Sequence, residues 1–365
     1  MLNMLRTQFM LERTSTRNIF AAVAVLVVLC GSVIYIHTLH IGDKERETAV
    51  ERQSITVALS KFQIADDLTF DEDDLYTNLV LQKQEAARQA MALRMNRIEV
   101  YWDSSIKLTQ LREKAQQIEG YEVVQNNLPT SAQNKRQLAF SESMQKQHIA
   151  IEENHLTYYP FILFIMSLLS GIWFIVLVIY SSTTVIDDFT HATLLRGYPV
   201  TVGQYIWSKA IISWGFIGLL MIQILVVSMG LMLWQGTSNA QYPVAIYTGE
   251  FVTWPIYQVI LLYMGYFMLI ALFVILTTII LNLLYKNHYI TIFTQMLLWL
   301  LPMLVPYVRN HAVWYPFNYV DVASLVTGEK PTLIVMNGVI TISISILLLA
   351  LAIRFLFTSI WDQKG

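Results

Sequence analysis

The stretch YSSTTVIDDFTHATLLRGYPVTVGQYIWSK, Tyr180 to Lys209, lies between two long apolar runs and carries Asp187, Asp188, Arg196 and Lys209. A charge at the centre of a bilayer costs about 2.5–3.5 kcal/mol on insertion scales, so this stretch must lie outside the hydrocarbon core, with a span on either side. Read locally, Ser181 to Thr184 can cap a helix, and Asp187 and Asp188 then sit in its first turns, where carboxylates complement the unpaired N–H groups. Arg196 and Gly197 suit its end, and Pro199 just beyond stops it. The result is an amphipathic loop helix of about three turns.

Working outward, the chain is 55% apolar and 14% charged, with a mean hydropathy of +0.49, values of a membrane protein. The net charge of −2 gives no sign of a nucleic-acid partner, and the single Cys30 excludes an intrachain disulfide. Residues 1–18 place Leu2, Leu5 and Phe9 on one helical face, as expected of a helix lying along the interface, although an ordinary basic flank would read similarly. Residues 19–38 form the first span; Tyr35, His37 and His40 suit a signal-peptide cleavage site poorly, so an uncleaved anchor is expected.

Residues 160–357 supply five further spans, near 161–180, 211–234, 256–284, 289–306 and 333–357, with the loop 181–209 between the second and third. The span at 289–306 is short and carries Pro302 and Pro306 at its far end. Residues 235–255 and 307–331 read as loops on the opposite side; Trp314, Tyr315, Phe317 and Tyr319 in the latter suit an interfacial or re-entrant element. Residues 358–365 form a short polar tail. With both termini inside, Arg6, Arg13, Arg17, Arg196, Lys209, Lys286 and Lys364 fall on the cytoplasmic side, against Arg309 and Lys330 in the shorter outside loops.

Between the first two spans, residues 41–157 turn polar and nearly free of glycine and proline, which predicts a helical extracytoplasmic domain. Ile55, Leu59 and Phe62 form one apolar stripe. Leu79, Ala86, Ala90, Leu93, Tyr101, Leu108, Leu111, Ala115 and Ile118 form a longer one, and Gly120 with Asn126 to Pro129 marks the principal turn. The acidic run Asp66 to Asp74 lacks the glycine and distant glutamate of a calcium loop and fits a helix start better. Tyr101 and Trp102 are read as packing, and His148 and His155 as a solvated face, so no metal site is expected.

The expected fold is therefore an all-α integral membrane protein with six transmembrane helices and a large helical extracytoplasmic domain between helices 1 and 2. That layout, together with the loop, resembles type-2 ABC transporter permeases, the membrane subunits of ATP-driven bacterial exporters. In the family an acid closes the first long bundle helix, followed by Gly-Thr, Leu-Leu, Pro-Val, Ser or Thr, and a Lys before the next span. Here Asp188 stands for the acid, Thr193, Leu194 and Leu195 for the Thr-Leu-Leu, Pro199-Val200-Thr201 for the next element, and Lys209 for the Lys; Ala192 replaces the glycine.

The resemblance implies a permease in a bacterial plasma membrane, paired with a second copy or a similar permease and with separate cytoplasmic ATPase subunits that bind ATP and Mg. Asp187, Asp188, Thr193, Leu194, Leu195, Arg196, Pro199 and Lys209 would couple it to them. No phosphate loop, zinc-protease motif or nucleophile elbow occurs, so the chain itself is expected to be neither an enzyme nor a binder of cofactor. Gln223, Thr277, Thr278, Asn282 and Gln295 are candidate pathway residues, with hydrogen bonding between helices as their other reading. The uncharged spans favour an amphiphilic substrate: a peptide, lipid-linked molecule or antibiotic. A non-transporting sensor or assembly factor, with a helical binding domain, is the alternative.

Overall fold

The structure, a computed structural model, describes residues 2–62, 74–148, 157–186, 201–232, 236, 239–305, 307–308 and 312–362. Helices dominate it. A short α1 (Leu2–Arg13) precedes α2 (Thr16–Leu39); the polar segment then supplies α3 (Lys44–Leu59), α4 (Leu75–Arg94), α5 (Ile98–Ala115) and α6 (Ser131–Gln147). Next come α7 (Tyr158–Ser181), α8 (Val202–Met232), the strands β1 (Pro243–Tyr247) and β2 (Phe251–Pro255), and α9 (Ile256–Tyr285). The chain closes with α10 (His288–Leu304), the short α11 (Val322–Val326) and α12 (Val335–Asp362).

Among the described residues five helices, α2, α7, α8, α9 and α12, are long and apolar enough to cross a membrane. The sequence of α9 is apolar on every side, the mark of a helix with no polar face to offer. It accordingly takes the centre, packed by α7, α8, α10 and α12, with 61% of its most apolar window buried against 17% for α2 at the periphery. At 31 residues α8 is about 46 Å long and starts well before the expected 211. Lys209 therefore lies two turns inside a helix that overshoots a hydrocarbon core of about 30 Å. The helix expected near 289–306 is α10, whose 17 residues reach only about 25 Å and include Pro302.

The polar domain departs from expectation in one respect. The long stripe from Leu79 to Ile118 contains a turn that the spacing did not mark: α4 and α5 fold back on each other at Met95-Asn96-Arg97. Asn96 has φ 52°, and Arg97 N–H bonds Ala92 O at 2.8 Å while Asn96 N–H bonds Leu93 O at 3.1 Å, a left-handed helix end that asparagine tolerates better than other branched residues. The expected turn after Gly120 is present as well, joining α5 to α6. Buried polar side chains tie the helices: Ser105 and Ser141 hydroxyls lie 2.8 Å apart, Asn134 donates to Thr109 O at 2.8 Å, and Arg112 of α5 pairs with Glu51 of α3.

The segment 235–255, expected as a plain loop, contains a hairpin. β1 and β2 pair antiparallel from Pro243↔Pro255 to Tyr247↔Phe251 around Gly249, which has φ 111°. Its run of Val, Ile, Tyr, Phe and Thr about a glycine turn is an ordinary hairpin signal. The hairpin seats α6: Val244, Ala245 and Ile246 are buried, Phe140 and Tyr242 rings lie 5.9 Å apart, and Thr253 donates to Ser143 at 3.2 Å. One core thus runs from Tyr101, Trp102 and Met144 into the apolar helices, while a second, around Ile55, Leu79 and Leu108, fills the domain's far tip.

The aromatic segment after α10 turns inward. Phe317 packs edge-on to Phe174 and Phe273, at 5.7 and 5.3 Å, whereas Trp314 is 73% exposed. Asp321 caps α11 and accepts from Ser170 at 3.0 Å, twelve residues along α7, or about 18 Å from its start. The segment reaches the mid-length of α7.

Candidate functional site

Residues 187–200 lie outside the described residues, and with them Asp187, Asp188, Thr193, Leu194, Leu195, Arg196 and Pro199. The acidic run 63–73, and His155, lie outside them too. The two ends of the loop are described, and they meet. Lys209 Nζ donates to the carbonyl of Thr184, 25 positions earlier, at 3.2 Å, closing a neck between them, and its ammonium lies 5.3 Å from the Tyr205 ring. A charge-assisted bond of this kind contributes about 1.5–3 kcal/mol.

The same neck is gripped from the N-terminal side. Arg17 Nη1 donates to Tyr180 O and Thr184 Oγ1, each at 3.3 Å, and to Thr183 Oγ1 at 3.5 Å. Its guanidinium sits 4.6 Å from the Tyr180 ring centroid, and Nη2 pairs with Glu12 at 2.8 Å. Tyr180 in turn donates to Asn18 Oδ1 at 2.6 Å, and Asn18 donates to Glu12 O at 2.7 Å. The N-terminal helix is therefore docked: α1 packs on α8, with Phe9 stacked on Phe216 at 5.5 Å. Arg17 was legible in sequence only as a flanking charge, because its partners on the neck, Tyr180, Thr183 and Thr184, lie more than 160 residues away.

From the centre of the bundle, Asn282 near the end of α9 donates to Ser182 O at 2.8 Å. The Ser181 and Thr278 hydroxyls lie 2.8 Å apart, and Gln295 of α10 donates to Thr278 at 2.7 Å. All four side chains are fully buried. Ser181 and Ser182 also bond back to Leu177 O and Ile179 O within α7. Residues 180–184 are thus held by groups from α2, α8 and α9, and through Thr278 by α10. The base of the loop is thereby bonded to several apolar helices at once.

The pathway candidates separate. Gln295 is buried within this junction, Thr277 donates to Phe273 O of its own helix at 2.8 Å, and Gln223 donates to Ala22 O at 3.0 Å, fastening α8 to α2. Each makes a bond within or between helices, the other reading open to polar residues in apolar helices. Among the described residues no group of three His, Cys, Asp or Glu side chains could hold a metal ion. No protein-family model, curated protein or solved structure matches the chain.

Proposed function

We propose that the chain is the permease subunit of an ATP-driven exporter. It would span a bacterial plasma membrane six times, α10 supplying the short fifth span, with the loop and both termini on the cytoplasmic side and the domain 41–157 outside. The observation that carries this is the neck: a charged loop whose base is bonded to Arg17, Lys209 and Asn282, so that a push on it reaches α2, α7, α8 and α9 at once. A cytoplasmic ATPase closing around ATP would supply that push through a loop helix at Asp187 to Leu195, with Leu194 and Leu195 as buried contacts, Asp187 and Asp188 as caps or ion-pair partners and Arg196 at the rim. A second permease copy, or a similar permease, would complete the assembly.

The test is mild-detergent purification of the tagged full chain from its native membrane, with captured proteins identified by mass spectrometry. Wild type should bring down an ATPase carrying a phosphate loop, and Leu194→Glu should lose it. Lys209→Met should keep it but raise amide exchange over residues 182–186 about ten- to hundredfold, the equivalent of the bond removed. Wild type free of any ATPase would overturn the proposal and leave the helical domain as the functional part.

A further inference from the structure

A cavity of about 920 Å³ lies between the helical domain and the adjoining ends of the apolar helices, near the upper limit of pockets that enclose a small ligand. Its two ends differ in chemistry. Toward the membrane it is walled by Leu39 of α2, Pro160, Leu163 and Phe164 of α7, and Ile256 of α9. Toward the domain it is walled by Gln89, Gln133 and Gln137 and by Arg46, Arg112 and Arg136.

The charges at the polar end do not balance. Three carboxylates face the cavity, and each is engaged: Asp43 accepts from the N–H groups of Glu45 and Arg46, Glu47 pairs with Lys44 at 2.6 Å, and Glu51 pairs with Arg112. Arg46 donates to the carbonyl of Leu39, and with Lys44, Arg112 and Arg136 it sets four cations against three carboxylates. Arg136 has no hydrogen bond or ion pair at all among the described residues; Glu329 and Tyr263 act on it only through space. Arg136 is half-buried at the cavity wall, and desolvation of its guanidinium lowers its pKa. A partly desolvated guanidinium without a bonded partner gains when an anion reaches it.

We propose that this cavity binds an amphiphile with an anionic head, a phosphate or carboxylate on an apolar chain, with the head on Arg136 and Arg46 and the chain along Leu163 and Phe164. The chain end of the cavity adjoins the lipid-facing side of α7, where Leu168 and Ile172 are exposed, so the ligand is drawn from the leaflet beside the helical domain. Arginine suits the head because its fork meets two oxygens of one phosphate or carboxylate. Export of such a molecule rests on the permease proposed above. Binding does not, and is measured without the ATPase, so either can fail alone.

The experiment is native mass spectrometry of the full chain in detergent, titrated with hexadecyl phosphate, hexadecanol or inorganic phosphate. Hexadecyl phosphate should bind with one copy per chain. Hexadecanol, lacking the charge, and inorganic phosphate, lacking the chain, should each bind at least tenfold more weakly. Arg136→Gln should weaken hexadecyl phosphate tenfold or more, Arg136→Lys should restore most of the loss, and Phe164→Gln should weaken it without Arg136 being touched. Equal binding of hexadecanol, equal binding of inorganic phosphate, or an Arg136→Gln chain that binds hexadecyl phosphate like wild type would each overturn the proposal. If Arg136→Gln does not fold, the comparison of the three ligands on wild type decides alone.

Discussion

Gly338, in the first turn of α12, lies against α9 so closely that a single methyl group tests the packing of the bundle. A Cβ built there falls well inside van der Waals contact with the Tyr266 hydroxyl, 2.8 Å from Cδ1 of Tyr319 and 3.2 Å from Cζ of Tyr266. Both tyrosines are buried, at 2% and 0% exposure, so neither ring has room to retreat. Alanine favours a helix over glycine by about 0.8–1 kcal/mol, and in open space Gly338→Ala would stabilise the protein. Overpacking costs about 1–3 kcal/mol and should outweigh that gain, lowering the melting temperature by a few degrees at about 2–4 °C per kcal/mol. The Tyr266 hydroxyl has no hydrogen-bond partner among the described residues, so Tyr266→Phe alone should be nearly neutral. Combined with Gly338→Ala it removes the nearest clashing atom and should recover part of the loss. Thermal unfolding of the full chain in detergent measures all three variants. A Gly338→Ala protein that melts at or above wild type, or a double variant no more stable than Gly338→Ala, would refute the close approach of α12 to α9.

Two further outcomes concern the helical domain. Glu51→Gln leaves Arg112, 2% exposed, without its carboxylate, and should destabilise the domain by about 3 kcal/mol, seen as faster amide exchange in α3 and α5; joint replacement by Glu51→Leu and Arg112→Met should restore most of it. Burial, with Glu51 and Glu47 adding to it, raises the Tyr101 hydroxyl above its ordinary pKa, while a bond with Gln89 opposes the shift. The unfolded chain releases this proton near pH 10, before the folded one does, so the stability held below about pH 10 is lost as pH rises toward the folded value. Tyr101→Phe should make the melting temperature fall less steeply above pH 10 than it does in wild type, and an unchanged slope would refute the assignment.

The comparison between sequence and structure divides along the range of the forces involved. Apolar run length is a local property of the chain, and it located α2, α7, α9 and α12 to within a few residues. Local capping chemistry likewise placed the turn after Gly120. Where two local signals overlapped, the reading failed: the 3–4 spacing continued across Asn96 and hid the turn that folds α4 onto α5, and the polar surroundings of residues 243–255 hid a hairpin whose glycine turn was in plain view.

The candidate site divides in the same way. Lys209 was singled out through the resemblance, Thr184 as a capping residue and Asn282 as a polar residue in an apolar helix. The long-range partners of Arg17, Asn18, Thr184 and Asn282 were not legible, since a bond between residues 100 or more positions apart leaves no periodic trace in either segment. The sequence by itself determined that this is a chain of apolar helices interrupted by one charged loop and one polar helical domain, because transfer to hydrocarbon is decided residue by residue. Only the tertiary structure decided that the loop's two ends are clamped to each other and to three helices, and that Arg136, without a bonded partner among the described residues, stands at the polar end of a cavity whose other end is apolar. Both depend on which side chains converge in space, and convergence is fixed by the packing of whole helices.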